Sequence, residues 1–363
     1  MSMTAPVWPR GTIGLAAFVF VSIGLLFAFA PAWRGAKADS GQLPLTAPLP
    51  DKVPPGVVLR VGDPVTKWIF GHNGWEKKLP FRIQWAEITG GPDTTEAFHA
   101  GALDVGTGAS VPPIHADWAG IPVRIVAFRE YADSARKAAW VFGIAPHAKI
   151  RTIADFKGKR IAFSPSQVQA QVVLEALRAA KIDPRDVTLV ELPSSIGGDV
   201  YTNALASDEV DVAPLGAGLV AARYVSKFGD RGARLLAHSP FRDDGVVEYV
   251  PEKVLADPGK AAALRLYVTY WGLAQAWANA HPDELARGYY GRVRGLPLAD
   301  ARIQVHALGP VAIPRDWTPA VAYQQSAIDI LAPQTGHPAF QAGRLFDRRF
   351  ETIAADAAAG GKL

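Results

Sequence analysis

Two stretches of the chain place glycine, hydroxyl and amide residues where strands should give way to helices. In the first, Thr89-Gly90-Gly91-Pro92-Asp93 follows a strand-like run from Arg82 to Ile88 and opens a helix expected to reach Phe98. Gly101 ends that helix, and Leu103-Asp104-Val105-Gly106 reads as a short buried strand. Thr107-Gly108-Ala109-Ser110 then leads into a second helix with Pro112 and Pro113 in its first turn. Glycine before a helix and proline at its first position mark helix starts. A helix start presents unpaired N–H donors and a partial positive charge, which suits a carboxylate, sulfonate or phosphate. The chemistry expected is capture of an oxyanion, with Gly91, Pro92, Thr107, Gly108, Ala109 and Ser110 as contacts. Asp93 reads as a complement to its own helix dipole.

The second stretch, Lys159 to Gly218, repeats this logic. A strand to Phe163 meets the loop Ser164-Pro165-Ser166, and a helix is expected from Gln167 to Ala180. A strand Val187 to Leu192, a loop with Gly197-Gly198, a helix Asp199 to Ala206 and a strand Val210 to Val212 follow, ending in the turn Pro214-Leu215-Gly216-Ala217-Gly218. Ser164, Ser166, Gln167, Gln169, Pro214 and Gly216 are the expected contacts from this half. Hydroxyls and amides can donate to a ligand oxygen, although Ser and Thr also cap helices routinely. Ala204 to Val212 echoes Ala97 to Val105: each helix runs through a polar turn into an x-Asp-Val strand.

The elements that position these turns alternate strand with helix, which predicts an α/β protein with doubly wound sheets. Val57 to Gly62 is the first strand, with a helix expected around Trp68 to Glu76. The chain is expected to leave lobe 1 near Ala145 and to return between Ala237 and Val247. That gives lobe 1 as residues 57–144 plus 245–363 and lobe 2 as 145–244. Beyond Asp257 the pattern is mostly helical, with Leu264, Val268, Trp271 and Gln275 along one helix and Ala322 to Ile330 along another. Two crossings create a hinge and a cleft, and ligands of open α/β sheets bind beyond the carboxyl ends of the strands.

Composition narrows the function. With 363 residues, 49% of them hydrophobic, the chain can bury a large core. The absence of cysteine excludes disulfides, thiolate metal sites, a cysteine nucleophile and a lipidated N-terminal cysteine. Residues 1–38 read as a secretory signal peptide: Arg10, an uncharged apolar run from Thr12 to Ala30, then small-residue cleavage sites at Ala28-Phe29-Ala30 and Ala36-Lys37-Ala38. The same run could remain uncut as a membrane anchor. Arg10, Arg34 and Lys37 fall in this leader, so the formal net charge of +4 becomes nearly neutral beyond it and gives no reason to expect nucleic acid. Residues 39–56 read as a flexible lead-in. The 8 histidines form no His-x-x-x-His spacing and no Gly-x-Ser-x-Gly elbow occurs, so neither a metal site nor hydrolase chemistry is expected. Trp68, Trp75, Trp85, Trp118 and Trp140 read as core. Arg223, Lys227, Arg231 and Arg234 read as a solvated face.

Over residues 57–350 the chain resembles the periplasmic substrate-binding proteins of the alkanesulfonate, taurine and nitrate ABC importers. The resemblance is carried by Gly91-Pro92, by Glu96-Ala97-Phe98 to Gly101-Ala102-Leu103-Asp104-Val105-Gly106-Thr107-Gly108 with Pro112-Pro113-Ile114, and by Asp155-Phe156-Lys157-Gly158-Lys159-Arg160-Ile161-Ala162-Phe163. It implies a type II periplasmic-binding-protein fold that closes on a small oxyanion and delivers it to an ABC permease in the inner membrane. It further implies a periplasmic monomer without cofactor, metal or catalytic residue. Where sulfonate binders commonly carry a hydroxyl-rich loop, this chain has Ser166-Gln167-Val168-Gln169-Ala170. Where they often carry Trp-Asp-Pro, it has Ala213-Pro214-Leu215-Gly216. These departures imply a bulkier or less charged ligand. The rival readings are an enzyme on the same fold, which would gather titratable groups in the cleft, and a membrane-anchored ligand sensor.

Overall fold

The computed structural model describes residues 42–88, 90–133, 137–193, 199–237 and 242–360. The expected signal peptide, Thr89 and the Gly197-Gly198 loop lie outside the described residues. The chain begins with β1 (Val58–Gly62), α1 (Pro64–His72), a 3-10 turn at Trp75–Lys78, β2 (Arg82–Trp85), α2 (Gly91–His99), β3 (Val105–Ala109), α3 (Val111–Trp118) and β4 (Val123–Tyr131). A second series follows: β5 (Trp140–Ile144), β6 (Arg160–Phe163), α4 (Val168–Ala179), β7 (Thr188–Glu191), α5 (Asp199–Ala206), β8 (Val212–Gly216), α6 (Leu219–Phe228) and β9 (Arg234–Leu236). The return consists of β10 (Val246–Pro251), α7 (Glu252–Leu255), α8 (Pro258–Ala280), α9 (Pro282–Leu285), a π-helical stretch Ala286–Val293, α10 (Leu298–His306), β11 (Val311–Ala312), α11 (Thr318–Thr335) and α12 (Ile353–Gly360).

Two sheets result, ordered β11-β4-β10-β3-β1-β2 and β7-β6-β8-β5-β9. Neither is purely parallel. β10 runs antiparallel between β3 and β4, and β5 runs antiparallel between β8 and β9, because each strand enters its sheet from the other lobe. The outward crossing therefore falls between Tyr131 and Trp140, ahead of the expected Ala145, and β5 belongs to lobe 2. The return crossing runs from Leu236 to Val246.

Local chemistry explains where the elements start. Asp63 caps α1 by accepting from the Val65 and Thr66 amides, and Pro64 sits in its first turn. That start lies upstream of the expected Trp68, which belongs to the middle of the helix. In each lobe the aspartate before a central strand is gripped by the arginine of its neighbour. Asp104 accepts from the Arg60 amide and from its guanidinium at 2.7 Å, and Asp211 does the same with Arg160 at 2.8 Å. Lys260 on α8 adds a second cation to Asp104 at 2.8 Å.

The lead-in is docked rather than free: Leu45, Leu49 and Val53 pack on the core, and the Leu43 amide donates to Ala256 at 2.8 Å. Trp68, Trp75, Trp85, Trp118 and Trp140 pack partly buried against the core, whereas Trp271 and Trp317 are its fully enclosed tryptophans. Consecutive acids join the two crossings. Asp243 accepts from the Ala139 and Trp140 amides at 2.9 and 2.8 Å, and Asp244 accepts from the Tyr131 amide at 2.7 Å.

Candidate ligand cleft

The strand ends and helices of the two sheets enclose a cavity of about 840 Å³. Its floor belongs to the first sheet, where Asp63 and Thr66 at the start of α1, Thr107 on β3 and Arg129 on β4 meet. Trp271, Gln275 and Asn279 form one side, a stripe of α8 in which each residue is one turn from the next. The roof is the π-helical stretch with Tyr289 and Tyr290, and Gly288 is what seats it: a β-carbon there would lie 2.2 Å from Trp68. The opposite wall is α6 of lobe 2, presenting Leu219, Val220, Arg223 and Lys227. Arg223 reaches across to Asp300 on α10 at 2.6 Å, so an ion pair spans from lobe 2 to the return segment.

The charge balance of this cavity is basic. Arg129 makes no ion pair among the described residues; its guanidinium lies over the Tyr131 ring, 5.9 Å from the centroid. The Asp63 carboxylate is engaged by the α1 amides. Behind Thr107, Glu248 on β10 is fully buried and accepts from the Tyr267 hydroxyl at 3.2 Å. Burial, with Asp63 nearby, raises the Glu248 carboxyl well above the usual range and favours its neutral form. Gln275 is nine-tenths buried, lines the cavity and has no hydrogen-bond partner among the described residues. An unpaired cation, a free buried amide and aromatic side walls suit an anionic head carried on an apolar body.

A smaller cavity of about 260 Å³ adjoins the first, sharing Tyr131, Leu219, Val220 and Gln304. Ala109, Gln169, Pro214 and Gly216 line it, with Asp243 and Asp244 from the return crossing. The expected contact residues are thus dispersed. Thr107 reaches the larger cavity, and Ala109, Gln169, Pro214 and Gly216 reach the smaller one. Gly91, Pro92, Gly108, Ser110, Ser164, Ser166 and Gln167 line neither.

Physical causes account for this dispersal. Thr107, Gly108 and Ala109 lie within β3 rather than in a turn, opposite Glu248, Val247 and Val246 of β10. Pro214 and Gly216 lie within β8, opposite Phe142 and Trp140. Ser110 is buried: its carbonyl accepts from Gln324 at 2.6 Å and its hydroxyl meets Tyr323 at 3.4 Å. At Gly91 the lobes touch, since a β-carbon there would lie 2.9 Å from Pro112 and 3.3 Å from the Ser166 carbonyl. His115 on α3 lies near the Pro165 backbone at this contact, and burial lowers its pKa to about 4. The turn at Gly91 is where lobe 1 meets lobe 2, and the larger cavity extends toward α6 and α10.

The sequence reading missed Arg129, Gln275 as a lining group, and the Arg223 and Lys227 pair assigned to a solvated face. A signal for Arg129 existed: it is the first charge after the apolar run Ile125 to Phe128, toward the carboxyl end of a strand. Among the described residues no helix is long and apolar enough to cross a membrane. Nor, among them, do three or more His, Asp or Glu side chains gather as metal ligands.

Comparison with known proteins agrees with this architecture. Residues 79–227 match the family model described as NMT1/THI5 like. The putative aliphatic sulfonates-binding protein of Escherichia coli (strain K12) is 32% identical over 117 residues, which cover 32% of this chain and 35% of that protein. The alkanesulfonate-binding protein SsuA from Xanthomonas axonopodis pv. citri, bound to MOPS, superposes with a TM-score of 0.66 at 22% identity, covering 80% of this chain and 98% of its own. DszB, a desulfurization enzyme, in complex with biphenyl-2-sulfinic acid superposes with a TM-score of 0.57 at 15% identity over 82% of this chain and 99% of its own. The chain has the periplasmic-binding-protein fold, and the resemblance to sulfonate-binding proteins read from its sequence is borne out.

Proposed function

We propose that the protein is the solute-binding component of an ABC importer, exported to the periplasm, which holds a small organic oxyanion between its lobes for an inner-membrane permease. The observation that carries this reading is the Arg129 guanidinium, free of any ion pair among the described residues and set in the floor of the interlobe cavity. The sulfonate-binding relative in Escherichia coli supports the same ligand class. Arg129 supplies the charge-assisted contact to the head group, and Gln275 and Thr107 supply neutral hydrogen bonds. The Arg223 and Lys227 wall of lobe 2 adds positive potential across the cavity. A ligand touching both walls stabilises their apposition, and that bound form is what a permease would recognise. No bond is made or broken: the group that lines the cavity as an acid, Asp63, is committed to capping α1.

Calorimetric titration of alkane and aryl sulfonates, sulfate esters and carboxylates into the wild type and Arg129→Gln tests this. Binding to the wild type, weakened roughly 100-fold in the variant with recovered ligand chemically unchanged, is the expected result; loss of one buried charge-assisted contact is worth on the order of 3 kcal/mol. No binding by any of these anions would overturn the reading, and turnover of the bound compound would place the protein with the enzymes of this fold.

A further inference from the structure

Resting on that reading, we propose that the ligand carries an aromatic body of about two fused rings behind its anionic head. Size comes first. The cavity of about 840 Å³ lies toward the upper end of small-molecule sites, and a two-carbon anion seated on Arg129 would leave most of it to water.

The wall chemistry then selects a shape. Tyr289 and Tyr290 meet edge-to-face with centroids 4.9 Å apart, and Tyr131 faces the same volume beneath the Arg129 guanidinium. Ile69 and Leu285 add apolar surface to the same lining. Tyr290 is partly accessible and lines this cavity, and burial pushes its hydroxyl up to about 12. A flat apolar body can lie against rings disposed in this way, and aromatic pairs gain from such geometry beyond their buried area. The positions of Arg129 and Tyr131 put the anionic head and the first ring in adjacent places, as a ring-bound sulfonate or carboxylate requires.

The test is a titration series in one buffer: ethanesulfonate, octanesulfonate, benzenesulfonate and naphthalene-2-sulfonate, against wild type, Tyr290→Leu and Tyr290→Phe. Expected affinity rises from ethanesulfonate to benzenesulfonate to naphthalene-2-sulfonate by about 100-fold in all, with octanesulfonate below the naphthalene compound despite its apolar length. Tyr290→Leu removes at least tenfold of the affinity ratio of naphthalene-2-sulfonate over ethanesulfonate, and Tyr290→Phe restores that ratio. Ethanesulfonate binding as tightly as naphthalene-2-sulfonate, or octanesulfonate binding most tightly, overturns the aromatic inference and leaves the importer reading intact. Failure of all four overturns the aromatic inference too, and counts against the importer reading itself.

Discussion

At the scale of the residue, Glu248 is an acid held in a place that suits its neutral form. Its folded-state pKa is raised by burial, so the folded chain binds more protons than the unfolded one between the ordinary glutamate value and that raised value. Stability from this group is therefore fully present in acid and is lost as pH rises, by at most about 1.4 kcal/mol per pH unit. Glu248→Gln keeps the shape and removes the titration. Thermal unfolding between pH 4 and 8 should show the variant matching wild type near pH 4 and exceeding it increasingly toward pH 8; parallel curves would mean the carboxyl is not strained by burial. Such a residue was invisible beforehand, because Val246-Val247-Glu248-Tyr249 reads as an ordinary strand with one polar position. The charge at Arg129 was legible as a strand-end cation, but nothing in its neighbours says that it would make no ion pair among the described residues.

At the scale of the element, the two halves share one device. Each x-Asp-Val strand is anchored by the arginine of the strand beside it, and only the aspartates could be picked out from the internal echo in the chain. The arginines, 44 and 51 residues upstream, belong to strands whose pairing sequence spacing does not give. The two anchors differ in burial: the Asp104 side chain is 1% exposed and holds Lys260 as well, while Asp211 is 21% exposed. Asp104→Asn should cost about 3 to 5 kcal/mol, leaving two cations facing a neutral amide in a dry site, and Asp211→Asn about 1.5 kcal/mol. Denaturant unfolding of both variants decides it; equal costs would mean burial does not set the strength of the anchor. Elements with a period and a start signal, such as α2 and α4, were legible to within a residue or two. β3 and β8 were not: each runs into the glycine-bearing stretch expected to be a turn, because pairing with β10 and β5 holds Thr107 to Ala109 and Pro214 to Gly216 extended.

At the scale of the whole molecule, the alternation of strand and helix gave away two lobes, but not the cavity, whose lining comes from segments scattered between Asp63 and Val311. Helix α6 shows why. A polar stripe lining a cavity has the same pattern as one facing solvent, so Arg223 and Lys227 could not be told from surface residues. The hinge is likewise a tertiary object, made when Asp243 and Asp244 reach the other crossing. Asp243→Ala should speed amide hydrogen exchange at Ala139 and Trp140 at least tenfold while the strands of both sheets keep their protection; unchanged exchange there would show that the crossing is ordered without the carboxylate. The central position of β10 has a temporal consequence as well. β3 and β4 are not neighbours until residues 246–251 arrive to lie between them, whereas the strands of the second sheet are all present once Leu236 has been made. A chain emerging from its amino end can therefore complete its middle lobe first, and its opening strands must wait, unsatisfied, for the return of the chain.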